Sequence, residues 1–511
     1  MKKPCKYDLA KLLFRRQFIL GPYYIESLPA WKRFSIRNDI CLTVHPDLPV
    51  CQVKQENKSI TLLGYVLDPY NPQYYDLDIL NVLLNKFCLQ DNLKSLIQHT
   101  YTYGGRWILI VDDGTETILF NDATGYRQVF YTDLSYRREL WCASQPGTIA
   151  EVLGLQPDRE ALEFIDLKKY KHWGKKEYIF PGKCSLFKEI KRLLPNYYLD
   201  FRIGSSHRYW PDRYLGNISL EECVSRSSDI LRGLIKSAFN RFELALSITA
   251  GRDTRLLLAV CREISDSLYI FTNIYWQLDE KSADIMIPSL LLSRLGLRHN
   301  IIKCPTKMDH EFAEIYYRNV SAAHHVYGPI AQGMYEHYPQ NMICMKGNAI
   351  PIVKSNYPKI SNRKEVDVRI LAKLHRVENS PFANRHYAEW LSDTSEIYNV
   401  NIFDLFQWEI KEGSWQAMSQ LEMDIAQEVF VPFNCRSLLV DMLSVDEIHR
   451  RAPEYELHKT MIANLWPELL EVAINPQQKK KSAIARGIKR VKSGVRSKFK
   501  DALFVLNIHK P

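Results

Sequence analysis

Between Leu244 and Ile264 an apolar run ends in Thr-Ala-Gly-Arg-Asp-Thr, and an apolar helical pattern follows at once. Residues of these types could do phosphate chemistry. Gly251 lets the backbone turn tightly and come close to a ligand. A helix starting near Asp253 offers unpaired N–H groups and the positive end of its dipole. Thr249 and Thr254 can donate from their hydroxyls, and Arg252 and Arg255 add positive charge. An acid repels phosphate, so Asp253 makes sense there as a ligand for a magnesium ion bridging phosphate oxygens. The plainer reading is an ordinary helix start with Thr249 or Asp253 as N-cap. Gly-x-Asp-Thr alone does not separate the two.

A turn of this kind works when a buried parallel strand delivers it to a sheet edge, because ligands of open α/β sheets lie beyond the carboxyl ends of the strands. From about residue 220 the sequence has that organisation. A helix over "SLEECVSRSSDILRGLIKSAFNRF" is predicted with Ser219 as N-cap. The short apolar strands "LALSIT", "SLYIFTN", "HNIIKC" and "NMICMKG" alternate with helices, the pattern of a covered parallel sheet. Residues 360–475 read as helical, with "LFQWEIKEGSWQAMSQLEMDI" the clearest amphipathic piece. Residues 1–205 read instead as short alternating strands broken by turn residues, among them a tight hairpin at Asp112–Thr115 and a helix start at 146–154. This divides the chain into 1–205, a linker at 206–220, 221–476 and a tail at 477–511.

The chain has 511 residues, 46% of them hydrophobic and 12% aromatic, enough for roughly two to four packed domains. No stretch approaches the roughly 20 apolar residues that span a bilayer, and no signal peptide is read at the N-terminus. The eleven cysteines show no CxxC pair and no zinc spacing, which fits reduced thiols in a cytoplasmic protein. The net charge of +10 sits in the tail. Residues 477–511 carry eleven Lys or Arg and one acid, Asp501, which leaves 57 bases and 57 acids elsewhere. Within it Ile484, Ile488, Val491, Val495 and Phe499 recur every three or four residues, as in a basic amphipathic helix. Three uses stay open: docking on the chain's own surface, contact with an acidic partner, or contact with the inner face of a membrane. Nucleic acid is disfavoured, since the remaining chain is neutral.

"SITAGRDTRLLLA" resembles the pyrophosphate loop of asparagine synthetase-like proteins, normally Ser-Gly-Gly-x-Asp-Ser, with conservative replacements at three positions. "LLGYVLDPYNP", "YGGRWILIVDDGTETILFNDATGYRQVFYT" and "FPGKCSLFKEIKRLLPNYYLD" resemble segments of that family's first domain. "FTNIYWQLDEKSADIMIPSLLLSRLGLRHNII" resembles the second strand and helix of its synthetase domain. The likeness spans about residues 55–475. It is nearest to divergent asparagine synthase-related proteins found with surface-polysaccharide genes.

This resemblance implies an Ntn-hydrolase-like αββα sandwich followed by an adenine-nucleotide α-hydrolase-like parallel-sheet domain. It implies ATP and Mg2+ as cofactors, and a ligase that adenylates a carboxylate, releases pyrophosphate and lets ammonia or an amine attack. The carboxylate would be a small acid or a sugar acid of a surface glycan. Carried over residue by residue, Ile248, Thr272 and Asn273 would meet adenosine. Thr249, Gly251 and Thr254 would cradle pyrophosphate and Asp253 would hold magnesium. Lys346 and Gly347 would form a second phosphate-facing loop, with Lys346 or Lys354 offsetting transition-state charge.

The sequence departs from the family in two places. Glutaminase chemistry needs an N-terminal cysteine whose own α-amine serves as base, whereas this chain starts Met1-Lys2-Lys3-Pro4-Cys5. The first domain is therefore expected to be non-catalytic. In "KGNAIPIVKSNY", Pro351 and Lys354 stand where the relatives carry an acid and an arginine. Proline cannot bind metal, and lysine lacks the bidentate fork. The alternative reading is accordingly a nucleotide-binding or scaffold protein without turnover. Asp279–Asp284 could bring an acid to the site or be a solvated helix start. His324 and His325 are expected on a surface or loop. Arg436, Arg450 and Arg451 are left between packing and phosphate contact.

Overall fold

The structure, a computed structural model, describes residues 6–90, 92–166, 178–355, 357 and 365–475. The tail and Cys5 lie outside the described residues. The first half builds two antiparallel sheets. One runs in the order β10 (Ile190–Arg192), β8 (Phe130–Thr132), β9 (Cys142–Ala143), β1 (Phe18–Gly21), β3 (Ile40–Val44), β2 (Lys32–Arg37). The other runs β12 (Ser205–Arg208), β11 (Tyr197–Asp200), β7 (Thr117–Asn121), β6 (Gly104–Asp112), β5 (Lys58–Leu67), β4 (Val50–Gln55).

The period of two along β5 and β6 decides what each face meets. Leu63, Tyr65 and Leu67, with Ile108 and Ile110, join the cluster that also holds Ile19, Leu42 and Phe130 of the first sheet. Ile60, Leu62 and Val66, with Trp107, Leu109 and Val111, pack on Ile79, Leu83 and Phe87 of the helix Asp76–Gln90. Both faces are covered, so β6 is buried along its whole length. The hairpin between β6 and β7 turns through Gly114 at φ +88°, a conformation open to glycine without strain.

The second half holds a five-stranded sheet in the order β15 (Asn300–Lys303), β14 (Tyr269–Ile274), β13 (Leu244–Ser247), β16 (Ile343–Met345), β17 (Val429–Phe430). Every pairing is parallel, with Leu246 opposite Ile270 on one side and Met345 on the other. The four strands read from the sequence are present. The fifth, two-residue β17, is not expected from the sequence, since it lies in a segment that reads as helix. Ser219 caps the helix Leu220–Phe239 by accepting from the Glu222 N–H at 3.1 Å. The amphipathic helix expected over Leu405–Ile425 has a π-helical centre, Gln407–Gln416, between the helices Ile402–Phe406 and Ala417–Met423, and it is buried at its polar positions too, Glu409, Glu412 and Gln420 among them. The segment read as a linker begins inside β12, and Trp210 beyond it is buried against Trp408.

The halves are joined through buried polar contacts. Arg106 makes a two-pronged bond to Asp424 at 2.5 and 2.9 Å and reaches Glu428 at 3.0 Å. Arg127 donates to Glu428 at 3.0 Å, and Asn434 ties Thr124 to the Gly105 carbonyl. Among the described residues, no helix is long and apolar enough to cross a membrane.

Candidate functional site

In the order 3-2-1-4-5 the connections reverse between β13 and β16, and a crevice opens at their carboxyl ends. Two cavities meet there. One, of about 360 Å³, is lined by Thr249, Gly251, Asp253, Lys346, Lys354 and Tyr455, among others. The second, of about 240 Å³, is lined by Thr272, Asn273, Asp284, Tyr327 and Gln416, among others. Ser247, Thr249, Lys346 and Asn348 belong to both walls. A larger cleft of about 670 Å³ lies elsewhere. Its charges are largely committed to one another, as in Lys191–Asp133 at 2.6 Å, Arg385–Glu160 and His386–Glu389 at 2.9 Å.

The turn after β13 is held by its own side chains. The Thr249 N–H donates to Thr254 Oγ1 at 3.1 Å, and the Gly251 N–H donates to Thr249 Oγ1 at 3.2 Å. The two threonine hydroxyls lie 3.3 Å apart. Asp284 accepts from the Ala250 N–H at 3.1 Å, so one acid of the 279–284 run does arrive at the cleft, from the first turn of the helix Ala283–Arg294. The helix Arg252–Val260 has Gly251 as N-cap at φ −74° and ψ 158°, with no side chain capping it. Neither Thr249 nor Asp253 is the N-cap. The dihedrals are ordinary extended ones, so it is the missing side chain at Gly251, not a left-handed backbone, that keeps the helix start open. The first N–H groups of that helix have no intrahelical acceptor by construction.

Gly347 allows the second loop to reach this turn. A Cβ there would fall 3.1 Å from the Asp253 carbonyl carbon and 3.3 Å from its Cβ. Beyond it, Pro351 lies in a single 3-10 turn, Ile350–Val353, whose C-cap is Lys354. That turn delivers the Lys354 ammonium to Asp253 Oδ1. Arg450 holds the turn from behind, donating to the Val353 carbonyl at 3.1 Å and to Asp404 at 3.0 Å. Lys346 has no side-chain partner among the described residues, and burial pulls its ammonium below its ordinary value. Arg252 lies over the Tyr455 ring at 4.4 Å, with its Nε buried and unbonded. His458, one turn beyond Tyr455, is fully buried, and burial beside Lys354, Arg252 and Arg450 holds it neutral.

Other residues singled out in the sequence lie as follows. Ile248 is fully buried behind the cavities and lines neither; its carbonyl accepts from Thr272 Oγ1 at 2.7 Å. Thr272 Oγ1 also meets His299 at 2.8 Å, and Asn273 lines the second cavity with a buried, unbonded Oδ1. Arg255 does not face the cleft: it donates to the carbonyls of Leu469, Val472 and Ala473. Arg436 is enclosed by Tyr101, Tyr209, Trp210 and Trp408, away from the cleft, and Arg451 pairs with Glu447 at 2.6 Å. His324 is not on the surface; it is fully buried against Glu422 and the Tyr178 carbonyl.

Sequence reasoning missed Tyr455, Asn475 and Gln416. Asn475 donates from its N–H to the Ala250 carbonyl at 3.0 Å, and Asn348 donates to Gln416 at 2.6 Å. The π-helical stretch that ends at Gln416, a kind of element enriched at functional sites, shows only in the structure, and no sequence signal marks that wall.

The donor set gives a divalent metal little to bind. The Asp253 carboxylate is already paired with an ammonium, and no group of three His, Cys, Asp or Glu placed to hold an ion occurs among the described residues. The magnesium expected on Asp253 does not fit a carboxylate already neutralised by the Lys354 ammonium.

No protein-family model matches the chain, and no curated protein does. Among solved structures it is similar to glutamine phosphoribosylpyrophosphate amidotransferase from B. subtilis complexed with ADP and GMP. That likeness has 12% identity and a TM-score of 0.23, over 56% of this chain and 60% of that one. It is also similar to an allosteric regulatory enzyme of purine biosynthesis, at 12% identity and a TM-score of 0.24, over 61% and 74%. The chain thus spans 60% of the length of the first of these.

Proposed function

We propose that the cleft at the carboxyl ends of β13, β14 and β16 binds ATP through its phosphates, as part of an ATP-dependent ligase forming C–N bonds. The observation that supports this reading is the convergence, at one strand-order reversal, of an open helix start with Arg252, Lys346 and Lys354. An anion there meets unpaired N–H groups and positive charge together. The second cavity, walled by Thr272, Asn273 and Gln416, is where the nucleoside and the carboxylate would lie.

In the proposed reaction a carboxylate oxygen of a small acid or glycan acid attacks the α-phosphorus, and the bond to the bridging oxygen breaks as pyrophosphate leaves. Ammonia or an amine then attacks the acyl carbon and AMP departs with the C–O bond electrons. Lys346 and Lys354 would offset the charge that builds on the leaving pyrophosphate. Residues 1–205 would be a non-catalytic platform. We place the protein in the cytoplasm, with the 477–511 tail contacting an acidic partner or the inner face of the membrane.

A second reading, nucleotide binding without turnover, is favoured by one observation, the commitment of Asp253 to Lys354. Pyrophosphate release from ATP, measured with ammonium and a panel of carboxylic acids, separates the two. Release that depends on one acid establishes the ligase. ATP binding with no release from any acid leaves the binding protein.

A further inference from the structure

The ion pair in the cleft changes what kind of ligand the site can take. A carboxylate at a phosphate-binding turn is ordinarily reconciled with its ligand by a divalent cation between them. Here the cation is covalently part of the chain. Lys354 is delivered to Asp253 by the Pro351 turn, with its side chain only 13% exposed. That turn is fixed in place by Arg450 from below. Both Lys354, at 5.6 Å, and Arg252, at 4.4 Å, lie over the Tyr455 ring, which limits their freedom to swing away. Three basic side chains, Arg252, Lys346 and Lys354, therefore line one cavity against the single acid Asp253. The cavity carries an excess of positive charge before any metal arrives, and the nearby acid Asp284, in the wall of the adjoining cavity, is engaged by the Ala250 N–H.

We infer that Lys354 takes the place of a divalent cation, so that the site binds a polyphosphate in metal-free form. The inference rests on the nucleotide reading above and specifies its ligand: the phosphate chain of a nucleoside triphosphate, or free inorganic pyrophosphate, without magnesium. A bound phosphate would lie against the helix start and the outward N–H bonds of the Lys354 ammonium. Asp253 would then orient that ammonium rather than touch the ligand, which makes it a positioning residue. A magnesium-chelated phosphate brings its own positive charge into an already cationic cavity and gains less there.

The experiment is calorimetry on the full chain, titrating ATP and, separately, inorganic pyrophosphate, in EDTA and in magnesium chloride. Both ligands are expected to bind in EDTA at least as tightly as with magnesium. Lys354→Met is expected to lose about tenfold in EDTA, the worth of one charge-assisted contact. It should also become responsive to magnesium, since Asp253 is then released. Lys354→Arg keeps the charge and should stay within about threefold of wild type; it controls for variants that merely unfold. Wild-type binding that appears only with magnesium overturns the inference while leaving the nucleotide reading standing. Binding of ATP but not of pyrophosphate overturns it too, by moving the anchor to the nucleoside. No binding of either ligand in either buffer overturns both.

Discussion

Lys354 and Asp253, 101 residues apart in the chain, form an ion pair across the mouth of the turn that follows β13. The pair joins the first loop of the cleft to the second. It accounts for a proline in a loop that would otherwise be expected to carry an acid. Pro351 has the φ that a tight turn needs, and the turn returns a lysine to the aspartate.

Asp253→Asn gives a direct reading of that pair. It removes the one negative charge facing a bound phosphate and leaves the shape nearly unchanged. Pyrophosphate binding in EDTA is expected to tighten by about fivefold, a modest Coulomb effect at a part-exposed site. Calorimetry checks it. A loss of binding would mean that the carboxylate's hold on the Lys354 ammonium outweighs its repulsion of the phosphate.

Gly347→Ala forces a methyl to within 3.1 Å of the Asp253 backbone. Neither loop has slack, because each is pinned by its own hydrogen bonds. Denaturant unfolding should show a loss of about 1–3 kcal/mol, the usual result of overpacking. ATP affinity should fall with it. An unchanged midpoint would show that the second loop moves freely.

Two buried arginines should respond differently to the same change. Arg106 is bonded to Asp424 and Glu428, so Arg106→Met takes from the buried Asp424 its two-pronged partner, while Glu428 keeps Arg127, and is expected to cost about 3–5 kcal/mol. Arg192 is equally buried, yet its Nε and Nη1 have no hydrogen-bond partner, and it lies over Phe130 at 5.3 Å and Phe180 at 5.7 Å. Methionine can fill that space, so Arg192→Met is expected within about 1 kcal/mol of wild type. Paired urea titrations decide it. Equal losses would show that Arg192 is held by more than its stacking.

Stability should also fall in acid through Glu428. Burial pushes its carboxyl up, but Arg127, Arg106 and Arg16 outweigh burial and hold it at about 2, against an ordinary 4.5. The folded state thus binds this proton less readily than the unfolded chain. Its contribution is fully present above pH 4.5 and is lost as the pH falls from there towards 2. Urea midpoints over that range should drop in wild type and drop less in Arg127→Met. An identical slope in both would assign the acid sensitivity to other carboxylates.

Much of the frame was legible in the chain itself. Apolar runs of four to six residues alternating with helical periods predict a parallel sheet, and β13 to β16 form one. Ser219 before two glutamates predicts a capped helix, and Asp-Gly predicts the hairpin between β6 and β7. These signals are local: backbone geometry and side-chain period act over a few residues, and each segment carries its own instruction.

The contents of the cleft were legible only in part. Thr249, Gly251, Asp253, Thr254, Lys346, Gly347 and Lys354 could be named from the sequence, and all line one cavity. That Lys354 lies on Asp253, that Arg255 turns away to the 469–473 carbonyls, and that Tyr455 and Asn475 form a wall could not be read there. Each depends on where separate elements dock, not on the residues beside it. A charged side chain's role follows from its nearest opposite charge, and at separations of about a hundred residues or more that neighbour is chosen by packing. Local sequence is enough to place β13 to β16, the turn and the kinds of groups available. Which cation meets which acid follows from how distant segments dock.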